Sequence, residues 1–503
     1  MIKDGFESQN QLALTSKNNF MKTKNLLFTA MASIAFITGA YAQNVWIPDA
    51  NFKAALVGNA SINTNMDAEI QITEANVYSG SINVSNLSIL DLTGIEAFVA
   101  LDSLDCSRNH ISGLELWANI ALKYLDCSGN MESWVDPNND NPMGIPDVFI
   151  YYLDTLNVSA NTSLTTLNCN NNGLLNLNTS GLTSLTYLDC SDNKREALDN
   201  FANNVVTFSI LTFDFLSNVA LIYLDCGRNE LPSLDVSGNT LLNYLDCSWN
   251  KLPSLDVSGN TLLTTLNCGW NSLTSLEVSA NTELTNLDCR SNFVIGVSPE
   301  GWPAGMSTLE NLNVSANLTL TTLKCGGNSL SSLNVSANTA LTYLSCQYNQ
   351  ISTLDVSGNT ALFMLECQNN QLTSLDVKNG NNINMFNFYA VGNPNLSCIE
   401  VDNVAWSNAN WAFIDATASF SENCSGVGIT VNNESTEPMF YPNPTSDIIY
   451  LSEPANITLT DLSGNLLLEE KNTNQLDISA LPAGMYFLNV GENKQHIFKV
   501  IKE

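Results

Sequence analysis

Histidine is nearly absent from this chain. Only His110 and His496 occur among its 503 residues, one in an early repeat and the other close to the C-terminus. Catalysis by a serine or cysteine nucleophile commonly needs a histidine base within hydrogen-bond reach and an acid that orients it. Two isolated histidines cannot build such a relay, and acidic pairs recur here only because the sequence itself recurs. We therefore expect the protein not to be an enzyme.

Basic residues are scarce as well. The chain has 18 lysines and arginines against 49 aspartates and glutamates, which gives a formal net charge of −31 at pH 7. Nucleic-acid binding depends largely on lysine and arginine contacts to phosphate groups. The composition thus excludes a nucleic-acid partner and suits cationic surfaces or divalent ions instead.

Long apolar runs are also missing, with one exception near the start. Residues 21–42 begin with methionine, carry two lysines, continue with an apolar stretch and end in small residues. This order is typical of a secretory signal peptide, with cleavage expected between Ala42 and Gln43. Residues 1–20 are polar and unpatterned, so we interpret them as a mis-assigned start. The mature chain should contain no transmembrane segment.

The sequence has no CxxC pair, the spacing typical of zinc sites, although it contains 13 cysteines. Eleven of them form one column, in which neighbours are most often 21 residues apart. Such side chains point the same way from stacked strands, a geometry that suits disulfides poorly. They are predicted to pack as small buried thiols. The column consists of Cys106, Cys127, Cys169, Cys190, Cys226, Cys247, Cys268, Cys289, Cys325, Cys346 and Cys367, and Phe388 is expected to take the next position.

The column belongs to an internal repeat that is clearest between Ala220 and Thr282. Three blocks of 21 residues follow one another there: ALIYLDCGRNELPSLDVSGNT, LLNYLDCSWNKLPSLDVSGNT and LLTTLNCGWNSLTSLEVSANT. One block cannot bury its own leucines, whereas stacked blocks form a continuous core. An asparagine three residues after each column cysteine can bond the backbone of the adjacent rung. The period-2 apolar pattern predicts parallel strands on the cysteine side and short strands opposite.

The pattern LxxLxCxxNxL followed by LDVSxNT resembles the leucine-rich repeat family, and in particular the internalins that carry a column of cysteines. The resemblance implies an α/β-type solenoid that is mostly β, right-handed, with a parallel β-sheet. It assigns residues 43–83 to an N-terminal cap, 84–395 to the solenoid, 396–424 to a C-terminal cap and 425–437 to a linker. Cys398 and Cys424 lie outside the column, and in an exported chain we expect them to form a disulfide.

Three insertions interrupt the column. The cysteine spacing becomes 42, 36 and 36 residues at these points, and the additional residues lie near 131–151, 194–208 and 293–307. Each insertion follows a ladder asparagine, so all three loops should leave the solenoid at the same edge. Insertions on one face of a solenoid often mark its working face.

The last segment, residues 438–503, carries FYPNPTSD, LTDLSGNLL and LPAGMYFLNV. It resembles the C-terminal sorting domain of proteins exported by the type IX secretion system of the Bacteroidota. The resemblance implies export through the periplasm, handling by that machinery, and then release or attachment at the outer surface. Alternating apolar segments predict a small β-sandwich. The matching residues are Tyr441, Pro442, Asn443 and Pro444, Asp461 and Gly464, and Leu481 to Tyr486.

The segment NTNMDAEIQITE places oxygen-bearing side chains at the spacing of an EF-hand calcium loop. A calcium site is therefore a hypothesis, and no other cofactor is expected. Ala68 stands where the sharp turn of such a loop needs glycine, and Asn63 replaces the usual aspartate. The alternative is a polar loop followed by a capped helix. The candidate ligands are Asn63, Asn65, Asp67, Glu69 and Glu74.

Exposed aromatic side chains are predicted on one face of the cysteine-side sheet. Positions three and one before each cysteine, and one and two after it, should point outward. Tyrosine, tryptophan and arginine anchor many interfaces. Strand propensity explains tyrosine here but not exposed tryptophans on two consecutive repeats. The predicted ligand-binding set is Tyr223, Tyr244, Trp249, Trp270, Arg228, Asp225, Asp246, Tyr343 and Tyr348.

These features favour non-catalytic binding of a protein, or adhesion, through the concave sheet and the edge loops of a secreted or cell-surface protein. One alternative is carbohydrate binding, in which aromatic rings stack on a surface glycan. Another is a structural or crystal-templating solenoid that uses the regular serine, threonine and aspartate columns of the opposite face. The fold alone does not choose between them.

Overall fold

In the computed structural model the chain divides into two compact units, residues 1–426 and residues 427–503. The structure describes residues 43–135, 148–193, 196–199, 204–207, 213–297, 303–307, 309–424, 440–441, 447–461, 465–490 and 496–502. Several predicted features lie outside these ranges: residues 1–20, the signal peptide with Ala42, the linker 425–437, Pro442, Asn443, Pro444 and Gly464.

The first unit is a mostly-β parallel solenoid, as predicted. Its main sheet has thirteen parallel strands in register, because each 21-residue block places the same three residues beside those of the block before. The middle residue of each strand is buried, and its neighbours face outward. The strands are Ser81–Asn83, Ser103–Asp105, Tyr124–Asp126, Thr166–Asn168, Tyr187–Asp189, Tyr223–Asp225, Tyr244–Asp246, Thr265–Asn267, Asn286–Asp288, Thr322–Lys324, Tyr343–Ser345, Met364–Glu366 and Asn387–Tyr389.

Short parallel strands lie on the opposite side, again as predicted. They form one sheet of Leu114–Glu115, Leu156–Asn157, Leu177–Asn178 and Phe213–Asp214, a pair of Leu276–Glu277 and Leu312–Asn313, and a sheet of Thr353–Asp355, Ser374–Asp376, Cys398–Glu400 and Ser419–Ser421.

The core between the two sides contains the cysteine column. All eleven column cysteines are buried and carry free thiols. Burial raises the pKa of each thiol, with that of Cys346 raised to about 12, because a thiolate loses its hydration inside an apolar core. The cysteines thus fill space between leucines and do not act as nucleophiles.

A ladder of buried asparagines joins the rungs on the cysteine side. Nδ2 of Asn250 donates to the carbonyl oxygens of Cys226 (3.1 Å) and Cys247 (2.9 Å). Its Oδ1 accepts from the amide of Leu231 at 2.9 Å. The donor pattern recurs from Asn109 to Asn393. Each side chain satisfies backbone groups of its own rung and of the adjacent one, as predicted from the spacing.

A second asparagine ladder runs along the opposite side and is less complete. Nδ2 of Asn260 donates to the carbonyl oxygens of Val236 (3.0 Å) and Asn239 (2.9 Å). Its buried Oδ1 finds no hydrogen-bond partner among the described residues, and the same holds for its equivalents in seven other rungs.

The end of the cysteine column corrects one prediction. Phe388 does not take the cysteine position, because it pairs with Leu365 in the sheet. The buried residue in the cysteine position is Ala390, whose carbonyl accepts from Asn393 Nδ2 at 2.8 Å. This block is longer by two residues and contains a short 3-10 helix, Asn382–Asn384, so counting 21 positions from Cys367 stops too early.

The three insertions each contain an antiparallel hairpin. The paired strands are Met131–Val135 with Val148–Tyr152, Glu196–Asp199 with Asn204–Thr207, and Phe293–Val297 with Pro303–Ser307. Every hairpin starts soon after a ladder asparagine that closes a main-sheet strand. All three therefore leave from the same position in the rung.

Short helices and aromatic residues flank the repeats. Helix α1 (Ala50–Val57) is capped by Asp49 and buries Phe52 and Leu56, and α2 (Ile72–Val77) follows the predicted calcium loop. A 3-10 helix spans Ile95–Ala97, and α3 spans Val404–Asn410. Trp411 stacks on Phe388 with ring centroids 4.3 Å apart, which shields the last rung from water.

The predicted disulfide between Cys398 and Cys424 is formed, with Cα atoms 5.9 Å apart. It links a strand of the opposite side to the end of the first unit, so it fixes the C-terminal end of the solenoid.

The second unit is a five-stranded antiparallel sheet of Phe440–Tyr441, Ile448–Thr460, Leu466–Asp477, Gly484–Val490 and His496–Lys502. Its own small core includes Ile457, Leu459 and Leu488. Within the LPAGMY stretch, the Tyr486 hydroxyl donates to the Pro482 carbonyl at 2.6 Å. No helix in the described part of the chain is long and apolar enough to cross a membrane.

Candidate functional site

Three columns of side chains run across the outward face of the main sheet, and they are built by the register of the repeat. The first column contains tyrosines three positions before the cysteines. The rings of Tyr187, Tyr223 and Tyr244 stack on one another, with centroids 4.3 Å apart and interplanar angles of 9° and 6°. In-register strands lie about 4.8 Å apart, which brings identical aromatic residues on successive rungs into stacking distance.

The second column contains aspartates one position before the cysteines. Asp246 accepts from Ser248 Oγ (2.6 Å) and from Asn267 Nδ2 (2.6 Å). Asp189 has the same kinds of partner, Ser191 Oγ at 2.7 Å and Asn170 Nδ2 at 2.6 Å. Serine one position after the cysteine thus supplies a hydroxyl to the carboxylate of its own rung.

Asp225 lacks that support because its rung has Gly227 in the serine position. Within the described residues, the one hydrogen bond to its carboxylate comes from the Gly227 amide at 3.0 Å. Burial, and then the neighbouring charge of Asp246, raise the pKa of Asp225 to about 7. A carboxylate between two others ionises with difficulty unless a cation joins them.

The third column lies two positions after the cysteines, where the backbone is left-handed. The φ angles of Arg228, Trp249 and Trp270 are 57°, 55° and 57°. Equivalent rungs use residues that suit this conformation better, such as Gly129, Gly327 and Asn369. This conformation costs a residue with a Cβ atom roughly 1–2 kcal/mol, and asparagine less because its side chain can hydrogen-bond locally.

The tryptophans of this column stack with ring centroids 4.2 Å apart at 6°. The Arg228 guanidinium lies over the other face of Trp249, 5.1 Å from the ring centroid. Both faces of the Trp249 ring are therefore occupied, although the side chain is 44% exposed. We refer to the three columns together as the Tyr–Asp–Trp surface; it comprises Tyr187, Asp189, Asp192, Tyr223, Asp225, Arg228, Tyr244, Asp246, Trp249 and Trp270.

One of the predicted outward positions does not point to solvent. Residues directly after the cysteine are buried or half-buried, with Ser107 and Ser248 at 7% exposure. Their hydroxyls turn back to the aspartate of the same rung. The strand ends before this residue, so the alternation on which the prediction relied no longer applies.

The remaining predicted ligand-binding residues form a separate group. Tyr343 lies four strands from Tyr244 in the sheet order, a distance of about 19 Å at the usual strand spacing. Its hydroxyl donates to Glu366 Oε2 at 3.0 Å, and Lys324 Nζ lies 5.6 Å from its ring centroid. Tyr348 is 62% exposed. Asp189 and Gly227 also belong to this face and were not predicted from the sequence, although comparing the serine position across repeats singles out Gly227.

The proposed calcium loop is held by its own hydrogen bonds. Glu74 Oε1 accepts from the amide and the hydroxyl of Thr64, both at 2.8 Å, and Oε2 accepts from the Gln71 amide at 3.0 Å. Asn65 and Asp67 accept amides two residues ahead, and Glu69 pairs with Lys53 at 2.7 Å.

The Glu74 carboxylate, at the last predicted ligand position, thus holds the loop closed by accepting hydrogen bonds from Thr64 and Gln71. The buried Asn63 Oδ1 has no partner among the described residues. No group of three or more acidic, histidine or cysteine side chains in the described ranges is arranged to hold a metal ion. Calcium binding stays a prediction.

Comparison with known proteins agrees with both predicted resemblances. Residues 439–503 match the family described as secretion system C-terminal sorting domain. The solved functional domain of InlJ from Listeria monocytogenes, which includes a cysteine ladder, is 27% identical, with a TM-score of 0.55 over 93% of this chain and 100% of that one.

Two further solved structures are similar at lower levels. A leucine-rich repeat protein of Leptospira interrogans is 19% identical (TM-score 0.44, 70% of this chain and 81% of that chain). The internalin InlF of Listeria monocytogenes is 17% identical (TM-score 0.42, 77% and 100%). The search of curated proteins gives no match. The internalin-like solenoid and the sorting domain are thus confirmed, and the tail directs type IX export to the cell surface or beyond.

Proposed function

We propose that this exported leucine-rich repeat protein is a non-catalytic binding or adhesion protein that recognises another protein through the Tyr–Asp–Trp surface. The observation that carries the proposal is the position of Trp249 and Trp270. Both occupy left-handed backbone, where other rungs place glycine or asparagine and, in several cases, other polar residues or Tyr348. A fold does not need tryptophan at such positions, and strained residues that persist are concentrated at functional sites.

Hydrolysis is the less favoured use of this surface. A carboxyl group with a pKa of about 7 could act as a general acid, and Asp225 has such a pKa. A glycosidase also needs a second carboxylate with a different role, separated across the scissile bond. Asp189 and Asp246 are the neighbours of Asp225 in one column of the repeat, and burial together with the charge of Asp246 accounts for the raised pKa of Asp225.

Carbohydrate binding is also disfavoured by the ring geometry. A sugar stacks on the face of an aromatic ring, but both faces of Tyr223 are covered by Tyr187 and Tyr244. Both faces of Trp249 are covered as well. The rings present mainly their edges to solvent, which suits a protein partner better than a glycan.

The test is a binding comparison on the full-length secreted protein. Asparagine tolerates left-handed backbone, so Trp249→Asn combined with Trp270→Asn removes the rings while keeping the turn. Trp117→Asn is the matched control, because that tryptophan is 58% exposed outside this surface. Cross-linked capture from cell-surface protein extracts, with a glycan array in parallel, should give a protein that the double variant loses and the control keeps. Loss in both variants, or a glycan ligand, would reject the proposal.

A further inference from the structure

We propose that the partner presents a basic and apolar polypeptide segment, whose lysine or arginine side chains lie over the aspartate column. This inference rests on the proposed protein-binding function and adds the chemistry of the partner. It is argued from the charges, the hydrogen bonds and the apolar border of the Tyr–Asp–Trp surface.

The aspartate column has its longest run of acids at these rungs. Asp189, Asp225 and Asp246 stand on three adjacent strands. Side-chain amides reach the two outer acids, from Asn170 and Asn267, but none in the described ranges reaches Asp225. Elsewhere no more than two acids are consecutive: Asn168 follows Asp126 and donates to it at 3.1 Å, and Arg290 Nε donates to Asp288 at 3.0 Å. Like charges on neighbouring strands are destabilising, so a cationic side chain from outside would relieve a repulsion that the fold leaves in place.

Among the described residues, Asp225 has no side-chain donor from its own rung, so a donor from a partner can supply one. A Cβ atom at Gly227 would lie 3.2 Å from an oxygen of Asp225 and 3.2 Å from one of Asp246, so this tight position does not accept a side chain without displacement. In the neighbouring rungs a serine hydroxyl fills the equivalent space. Asp192 adds a further exposed acid, whereas Arg228 is the one basic side chain on this surface and lies over Trp249.

The walls of the surface strengthen such a pairing. The stacked tyrosines on one side and the stacked tryptophans on the other are half-buried and bear no charge. Burial, with the charges of Asp246 and Asp225, raises the pKa of Tyr244 to about 12, so its hydroxyl stays neutral. Apolar walls lower the local dielectric constant, which makes ion pairs stronger than in open water.

An apolar border lies beyond the tyrosine column, where the chain enters the sheet. Its side chains lie on three consecutive rungs and are 47–52% exposed: Val219 and Ile222 on the first, Leu241 on the second and Leu262 on the third. Asn243 Nδ2 donates to the Leu262 carbonyl at 3.1 Å, which keeps the border next to the tyrosine strand. Apolar residues of the partner can cover this border while its cations reach the acids, the arrangement of a buried core with a polar neighbour found in interfaces.

The probe is a labelled ten-residue peptide of alternating lysine and valine, with a glutamate–valine peptide as the charge-reversed control. Its affinity for the full-length protein is measured by fluorescence anisotropy at physiological salt. Asp225→Asn with Asp246→Asn is compared with Asp235→Asn and Asp256→Asn, which remove two carboxyl groups from the exposed opposite face of the same rungs. The first pair should weaken binding about tenfold or more, as loss of close charge pairs does, and the second less than about twofold.

Equal weakening by the two pairs would show that only net charge matters and would overturn the inference, as would absence of lysine–valine binding to the wild type. The protein-binding proposal is tested separately. If Trp249→Asn with Trp270→Asn loses the captured protein while the lysine–valine peptide fails to bind the wild type, the surface binds protein but not through a basic segment. Far-ultraviolet circular dichroism confirms that each variant is folded.

Discussion

At the scale of single residues, the two tryptophans combine backbone strain with ring stacking. Replacing both by asparagine relieves the left-handed strain and loses a stacking energy of about 0.5–1.5 kcal/mol. Replacing both by alanine loses the same stacking, and alanine has no polar side chain whose local hydrogen bonds could offset the cost of the left-handed conformation. We expect the asparagine double variant to unfold in urea with a free energy about 1–2 kcal/mol higher than the alanine double variant. Equal stabilities would show that the turn is not strained.

Asp225 gives the protein a pH-dependent stability of unusual sign for an acid. Burial and the neighbouring charge of Asp246 raise its pKa from 3.8 to about 7, and Asp189 and Asp192 add to the shift. Between pH 3.8 and about 7 the Asp225 carboxyl group is therefore protonated in the folded protein and ionised in the unfolded chain. The stability that Asp225 contributes is present below pH 3.8 and is lost as the pH rises through about 7.

Asp225→Asn removes this dependence. We expect the melting temperature of the variant, relative to the wild type, to increase between pH 5 and pH 8. Asp235→Asn serves as control, since that exposed carboxylate has a lowered pKa because it accepts hydrogen bonds from Ser237. A difference that stays constant with pH would contradict the assignment.

For these residues the sequence predicted the positions that the repeat spacing sets. It did not predict the backbone conformation at Trp249 or the raised pKa of Asp225, which depend on contacts with adjacent rungs. The Tyr and Trp columns follow from a constant spacing of 21 residues. The left-handed turn under Trp249 does not, because no side chain at that position is specific for it. The raised pKa of Asp225 depends on its burial and on the charge of Asp246, which follow from the packing of neighbouring rungs and not from the repeat pattern alone.

At the scale of the rung, one hydroxyl group supplies the hydrogen bond that the second asparagine ladder otherwise lacks. Thr179 occupies the position that valine holds in other rungs, and its Oγ1 donates to Asn218 Oδ1 at 2.7 Å. The equivalent acceptor, Asn260 Oδ1, is unpaired beside Val236. We expect Val236→Thr to stabilise the protein by about 0.5–1.5 kcal/mol, the net value of a hydrogen bond, in urea denaturation.

Val356→Thr is the matched control. In the next rung, Asn379 Oδ1 already accepts from the Asn381 amide at 2.9 Å, and the Asp376 carbonyl already accepts from the Val356 amide. A hydroxyl there is buried without a ready acceptor, which costs about 1–3 kcal/mol. Stabilisation by both substitutions, or by neither, would refute the explanation.

The loop before α2 offers a test of the calcium hypothesis at the same scale. Glu74→Gln should destabilise the protein, because the carboxylate accepts from Thr64 and Gln71, and each charge-assisted hydrogen bond is worth about 1.5–3 kcal/mol. If calcium binds, added calcium should raise the melting temperature of the wild type but not of Asp67→Ala. If added calcium changes the melting temperature of neither protein, the calcium hypothesis is rejected and Glu74 has a structural role.

At the scale of the molecule, the eleven column thiols report on the whole solenoid. Each is buried and its pKa is raised, so a thiol reagent should not react with the native protein. We expect eleven thiols to become reactive only in denaturant, with the Cys398–Cys424 disulfide unreactive until it is reduced. A thiol that reacts early would locate a rung that opens before the others.

The ladder hydrogen bonds of a rung reach only adjacent blocks, as Asn250 shows by donating to Cys247 of its own block and Cys226 of the block before. A duplication or deletion of 21 codons would therefore join blocks that already present matching partners. Such a change would lengthen or shorten the solenoid and reorder its tyrosines, aspartates and tryptophans while keeping the ladder pattern. The proposed binding surface is thus built from units that can be exchanged as whole blocks.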